Sequence, residues 1–198
     1  MKPITIGKLA EVTGGRIIQG DPGIILQSVS TDTRRINKGD LFFALSGERY
    51  DAHDFLGAAA AAGSGGLVVS RQESLPSGVP ALLVKDTLAA LQNLAAFNRG
   101  RYKGPVVGVT GSTGKTTTKD MVASVLGARL RTLKTEGNLN NEIGLPLTLL
   151  DLDDGIEAAV VELAMRGPGE IDALCRIARP KGAVITNINE THLERLGT

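Results

Sequence analysis

Val106-Val107-Gly108-Val109-Thr110-Gly111-Ser112-Thr113-Gly114-Lys115-Thr116-Thr117-Thr118 is the stretch on which the reading of this chain turns. A short apolar run, a glycine-rich turn and a Lys-Thr pair opening a helical pattern have the form of a phosphate-binding loop. Glycines let successive backbone N–H groups face one anionic centre, and the helix that follows adds the positive end of its dipole. Residues Gly111, Ser112, Thr113, Gly114, Lys115, Thr116 and Thr117 are the candidate nucleotide contacts. Within them Lys115 would reach the outer phosphates and the Thr116 hydroxyl would meet Mg²⁺. The spacing departs from the strict eight-residue pattern, since Val109 stands where its first glycine is expected and Gly108 lies one position early. An ordinary glycine turn between strand and helix is the competing reading. Strand, Gly-Lys-Thr and helix in this order favour a nucleoside triphosphate.

Composition sets mild bounds. A chain of 198 residues can hold one large or two small domains, each with a core. The net charge of +1, from 22 basic and 21 acidic residues, implies no field for a polyanion, and nucleic acid is not an expected partner. Aromatic residues are only 3%, which leaves few stacking platforms for single strands. The start, Met1-Lys2-Pro3-Ile4-Thr5-Ile6-Gly7, lacks the apolar core of a signal peptide. No apolar run reaches membrane-spanning length, and the Ala58–Ala62 tract is flanked by Gly57 and Gly63. A single cysteine, Cys175, excludes an internal disulfide framework and suits a reducing cytoplasm. Its spacing with Ile171, Leu174 and Ala178 predicts a buried, inert thiol on a helix's apolar face.

Two α/β segments are expected, 1–103 and 104–198. In the first, Leu41–Leu45, Gly66–Val69 and Ala81–Val84 read as strands and Phe55–Ala62 as a helix. Asp86 caps a long helix with Leu88, Leu91 and Ala95 in one stripe, ending near Arg99-Gly100. Lys103-Gly104-Pro105 is the expected junction. In the second, a strand over 105–110 precedes the phosphate loop and a helix over 116–126 with Val122, Val125 and Leu126 inward. A strand at Ala158–Glu162, a helix over 169–178 and a strand at Ala183–Asn187 follow. The βαβ rhythm predicts a largely parallel sheet with ligands at the carboxyl ends of its strands.

Three further clusters fall where nucleotide chemistry would need them. Glu162 ends an apolar strand, well placed to hold Mg²⁺ beside a phosphate loop. Gly137–Pro146 packs Asn138, Asn140 and Asn141 into four residues, and amides donate and accept without adding charge. Taken alone it reads more readily as a loop and helix cap. In Ile185–Glu194, His192 is open to two readings, a metal ligand or substrate donor and a structural histidine.

Together these residues resemble the Mur ligases. The resemblance is carried by Thr110–Thr117, Gly137–Pro146, Glu162-Leu163-Ala164-Met165-Arg166-Gly167-Pro168-Gly169-Glu170-Ile171 and Asn187–Glu194. In the amino-terminal part it is carried by Ser30–Arg34, Lys38–Leu45, Gly47 and Asp51–Phe55. It implies an amino-terminal α/β domain that binds a UDP-sugar, followed by part of a phosphate-loop central domain. It also implies an ATP- and Mg²⁺-dependent ligase acting on UDP-N-acetylmuramoyl-tripeptide and D-Ala-D-Ala through an acyl phosphate, in the bacterial cytoplasm, with monomer as the default state. Under it Lys115, Asn138 and His192 are catalytic, and Thr116, Glu162 and His192 are metal ligands. Thr31, Asp32, Thr33, Arg34, Ser46, Gly47, His53 and Asn141 serve the UDP-sugar, with Arg34 the diphosphate partner by charge.

Two departures stand out. Ala164 occupies a position where the family pattern leads one to expect glycine. The family's three domains also extend further than Thr198, which implies an amino-terminal fragment without turnover of its own, lacking the lysine that the family carbamylates to hold a second Mg²⁺. Three alternatives remain at this stage. They are a sister ligase adding the third amino acid of the peptide, a nucleotide-sugar-binding module without chemistry, and a generic phosphate-loop switch or motor.

Overall fold

The computed structural model describes residues 1–47, 50–72 and 75–191. The elements run β1 (Ile4–Thr5), α1 (Ile6–Thr13), β2 (Arg16–Gln19), β3 (Ile25–Leu26), β4 (Val29–Ser30), β5 (Leu41–Phe43), α2 (Leu56–Ala61), β6 (Gly66–Val69), β7 (Ala81–Leu83) and α3 (Thr87–Arg101). They continue with β8 (Val106–Thr110), α4 (Lys115–Gly127), β9 (Thr132–Lys134), α5 (Gly144–Leu150), β10 (Ala158–Glu162), α6 (Glu170–Ala178) and β11 (Gly182–Ile185). Chain contacts divide the molecule into two compact units, Met1–Leu94 and Ala95–Thr198. The division falls inside α3, ahead of the Lys103-Gly104-Pro105 turn. Its last turns are tied to the second unit by side chains: Asn98 donates to the carbonyls of Leu149 and Leu152, both at 2.9 Å, and Arg99 to those of Ala178 and Arg179, at 2.7 and 2.8 Å.

The first unit holds a five-stranded sheet in the order β2-β7-β6-β5-β4, parallel except for the antiparallel edge pair β2–β7. Its inner strands read as unbroken apolar runs because both faces are covered. Phe42, Leu67, Val69 and Ala81 pack with Leu56 and Ala59 of α2 in one core cluster. A separate antiparallel pair, β1–β3, flanks α1, whose ends are set by the Thr5 side chain accepting from Lys8 N and by left-handed Gly14. Asp86 starts α3 as expected, accepting from the N–H groups of Leu88 and Ala89 at 2.8 and 3.1 Å.

The second unit is a four-stranded, fully parallel sheet in the order β11-β8-β10-β9. From β8 the chain winds outward to β9, returns to β10, and then crosses to β11 on the other side of β8. The winding therefore reverses at β8, and the crevice at its carboxyl end is the place such sheets bind ligands. Helix α4 packs Val122, Ala123 and Leu126 onto Val109 and Val160. Val125, expected inward, is instead 75% exposed. At about 100° per residue the inward face is filled by positions 119, 122, 123 and 126, and residue 119 is a buried lysine that periodicity did not count. Cys175 is half-buried rather than enclosed, although burial still raises its thiol pKa. Strand β11 ends at Ile185, short of the expected Asn187.

Candidate functional site

In the second unit the site is assembled at the carboxyl ends of β8 and β10. Gly111 has φ 138°, and a Cβ there would strike the Thr186 hydroxyl and lie 3.0 Å from the backbone N and O of Asn187, so only glycine fits. The loop is clamped by the segment after β11. Ser112 N donates to Asn187 O (3.1 Å), Thr113 N to Asn187 Oδ1 (2.9 Å), and Asn187 Nδ2 to Thr113 Oγ1 (2.7 Å). Thr186 Oγ1 donates to Thr113 O at 2.6 Å, and Asn189 N to Ser112 Oγ at 2.9 Å. The amides of Ser112 and Thr113 are thereby committed within the protein. Those opening α4 keep the unsatisfied donors of any helix start. Lys115 lies back over the loop, its Nζ donating to Gly111 O (2.7 Å) and Ser112 O (3.3 Å). A cavity of about 280 Å³ opens beside it, lined by Gly111, Ser112, Lys115, Asn187 and the apolar side chains of Met165, Ile171, Ile185 and Ile188.

Glu162 closes the other side. Its register partner on β8 is Val109, which brings its carboxylate to the loop. Oε2 accepts from Thr116 Oγ1 at 2.9 Å, and Oε1 accepts from Asn140 Nδ2 at 2.7 Å. The residue is only 2% exposed, and among the described residues no cationic side chain forms an ion pair with it. A buried carboxylate held by two neutral donors is costly unless a cation joins it. A hydroxyl and a carboxylate beside a phosphate loop are the donor set Mg²⁺ takes when phosphates complete its shell, so the residues present fit that ion.

The asparagine segment divides three ways. Asn138 is exposed; Asn140 faces Glu162; the Asn141 side-chain oxygen accepts from Ile143 N (3.2 Å) and Gly144 N (2.9 Å) at the start of α5, which is the helix-cap reading. His192 lies outside the described residues.

In the first unit, Thr31, Asp32, Thr33 and Arg34 line a cavity of about 720 Å³ with Phe42, Leu45, Tyr50, Ala52 and Phe55. They sit just past β4, and Leu45 just past β5, again at the carboxyl ends of parallel strands. Arg34 spends its fork on Asp32, with Nε to Oδ1 at 2.9 Å and Nη2 to Oδ2 at 2.7 Å, while remaining 86% exposed. That pairing, led by the Arg34 side chain, lowers the Asp32 carboxyl to about 2. Tyr50 and Phe55 are exposed aromatics at the cavity wall that sequence reasoning did not single out. The sequence shows only that aromatic residues flank the Asp51–Asp54 run; their exposure at this cavity is decided by the fold.

Ser46 and His53 lie on a different network, around Asp51, while Gly47 N donates to Tyr50 O at 2.9 Å. His53 is buried, with Nδ1 2.6 Å from Asp51 Oδ1 and Nε2 accepting from Ser70 N at 2.9 Å. Because a backbone N–H can only donate, Nε2 is unprotonated and Nδ1 carries the proton to Asp51. Ser70 Oγ is 3.3 Å from Nε2, so serine, histidine and aspartate stand in a row. The lone pair that would take the serine proton is already used by Ser70 N–H, and the arrangement is a structural clamp. Both ring nitrogens of His53 are engaged within the protein. Asp51 also accepts from Ser46 Oγ (3.1 Å) and pairs with Arg71 (3.0 Å). Its carboxyl is lowered to about 2, chiefly by the His53 backbone N–H.

Residues 109–198 match the Mur ligase middle domain family. Over 98–100% of its length the chain is 44% identical to the UDP-N-acetylmuramoyl-tripeptide–D-alanyl-D-alanine ligases of Bacillus subtilis and Escherichia coli, covering 43% of each. A crystal structure of MurF from Acinetobacter baumannii superposes with a TM-score of 0.93 at 38% identity, over all of this chain and 44% of that one. MurF ligase from Thermotoga maritima, solved in complex with ADP, gives 0.76 at 38% identity over 84% of this chain and 39% of that one. Residues 109–198 belong to the Mur ligase middle-domain family, and the chain spans less than half the length of the curated relatives it matches.

Proposed function

We propose that this chain is the sugar- and nucleotide-handling part of an ATP-dependent amide-bond-forming ligase. In that reading it joins D-Ala-D-Ala to UDP-N-acetylmuramoyl-tripeptide in peptidoglycan precursor synthesis, in the bacterial cytoplasm and as a monomer. The observation that carries the reading is the meeting of Thr116, Asn140 and the buried Glu162 beside the phosphate loop, in a chain 44% identical to ligases of that name.

In the first step a peptide carboxylate oxygen takes the γ-phosphoryl group of ATP, the bridging P–O bond breaks with release of ADP, and an acyl phosphate forms. The dipeptide amine then displaces phosphate. Two unit charges at 4 Å repel by roughly 4 kcal/mol at an effective dielectric near 20, and the phosphates carry several. Lys115 swings from the carbonyls of Gly111 and Ser112 onto the outer phosphates, exchanging neutral acceptors for anionic ones. Thr116 and Glu162 would hold Mg²⁺, whose chemistry there would be to offset phosphoryl charge. Asn138 and Asn141 would orient phosphate and acyl oxygens, and His192 would serve a second Mg²⁺. Thr31, Asp32, Thr33 and Arg34 take the UDP portion, with Tyr50 and Phe55 offering aromatic faces to the uracil. Ser46 and His53 shape that site through Asp51, and Gly47 through its bond to the Tyr50 carbonyl.

The test is phosphate release by a chain of full family length carrying these 198 residues, supplied with ATP, Mg²⁺ and UDP-N-acetylmuramoyl-tripeptide. Release that depends on D-Ala-D-Ala supports the reading. Dependence on a single amino acid instead would indicate a sister ligase, and release indifferent to both substrates would remove the assignment.

A further inference from the structure

We propose that Asn140 is the positioning residue that fixes the Glu162 carboxylate for Mg²⁺, an inference that rests on the nucleotide site just described. Rotation about the last bond of a glutamate is soft and nearly two-fold, so the plane of the carboxylate is set by its donors. Here each oxygen has one: Asn140 Nδ2 on Oε1 and Thr116 Oγ1 on Oε2. Thr116 is expected to join the metal. Asn140 is the donor that turns the second oxygen back toward the protein and leaves Oε2 on the loop side.

Asn140 is itself anchored. Its N–H donates to Asn138 O at 2.8 Å, and its carbonyl accepts from Ala164 N at 3.0 Å, two residues beyond Glu162. The amide therefore addresses the carboxylate from a frame tied to the same strand's continuation. Glu162 is held from behind as well. Its N–H donates to Thr135 Oγ1 at 3.0 Å, and the Thr135 carbonyl accepts from the buried Lys119 ammonium at 2.7 Å.

The residue type matters. A lysine or arginine in place of Asn140 would neutralise Glu162 and compete with a metal ion. An amide donates a hydrogen bond without supplying a full charge, so the carboxylate keeps its negative charge for the cation.

The experiment measures ATP affinity of the 198-residue chain by calorimetry, in EDTA and in excess Mg²⁺, for the unaltered protein, Asn140→Ala and, as a reference, Glu162→Gln. In Asn140→Ala the affinity in EDTA is expected to stay within about twofold of the unaltered chain, while the gain from Mg²⁺ falls roughly tenfold, the scale at which outer-shell partners act on metal affinity. Glu162→Gln should lose the gain altogether. If Asn140→Ala does not fold, Asn140→Ser serves the same purpose, since its hydroxyl is too short to reach Oε1. A full Mg²⁺ gain in the variant, or equal loss with and without Mg²⁺, overturns the proposal while leaving the nucleotide site standing. No ATP binding by the unaltered chain overturns both.

Discussion

The two candidate sites treat charge in opposite ways. In the first unit the charges are met from within: Arg34 at the cavity by Asp32, and Asp51 on the neighbouring network by Arg71 and the His53 N–H groups. In the second unit, among the described residues, Lys115 donates to carbonyls and Glu162 accepts from neutral donors. A ligand at the first cavity would displace the Arg34–Asp32 pair or add contact with the exposed Tyr50 and Phe55 rings. The second carries one cation and one buried anion whose balance requires an anion and a cation from outside. A shared layout, with ligand groups at the carboxyl ends of parallel strands, thus supports two kinds of binding.

The largest expected effect is at Lys115. Lys115→Ala should lower phosphoryl transfer in a chain of full family length by about 10³-fold, the upper end for loss of one charge-stabilising donor. Binding of UDP-N-acetylmuramoyl-tripeptide, followed by calorimetry, should hardly change. Equal loss of both would mean that the two sites are not the independent entities described. Next in size is metal removal. EDTA should weaken ATP binding about a hundredfold and leave the UDP-ligand affinity untouched, which paired titrations of one preparation would show.

Arg34 sharpens the contrast at lower amplitude. Its exposed pair with Asp32 contributes little to folding, so Arg34→Ala should shift the thermal midpoint scarcely at all. Affinity for a UDP ligand should nevertheless fall about tenfold, as expected for one lost charge-assisted contact. An unchanged affinity would leave Arg34 as a surface ion pair only.

The smallest effect concerns acid. Asp32 and Asp51 each titrate near 2 in the folded protein, against an ordinary value of 3.8. A depressed carboxyl stabilises the fold above its unfolded pKa, and that contribution is lost as pH falls through the folded value. Stability should therefore be flat above about pH 4 and decline toward pH 2. Asp51→Asn should flatten part of that slope in denaturant titrations at several pH values.

Much of the second site was legible because it is local. Thr110–Thr117 is one turn whose glycines, lysine and threonine each have a task set by backbone geometry, and Glu162 closes an apolar run whose direction fixes its end. Helix α4's burial was read less well, since the periodicity counted Val125 and passed over Lys119, a cation that is buried only because the Thr135 carbonyl and Asp120 lie within reach. Strand β9 and helix α5 went unread: Thr132–Lys134 is a three-residue edge strand, and Gly144–Leu150 opens on glycine with proline in its first turn.

By itself the sequence determined the parallel α/β class, the phosphate loop and the carboxylate opposite it, because each follows from neighbours along the chain. Tertiary structure alone decided that Asn140 turns to Glu162 while Asn141 caps a helix, that His53 is locked between Asp51 and Ser70, and that Asn187 clamps Thr113. Those partners stand 22, 17 and 74 residues apart where the separation is long. Hydrogen bonds act over about 3 Å, and which distant donor meets which acceptor is fixed only when strands have found their register.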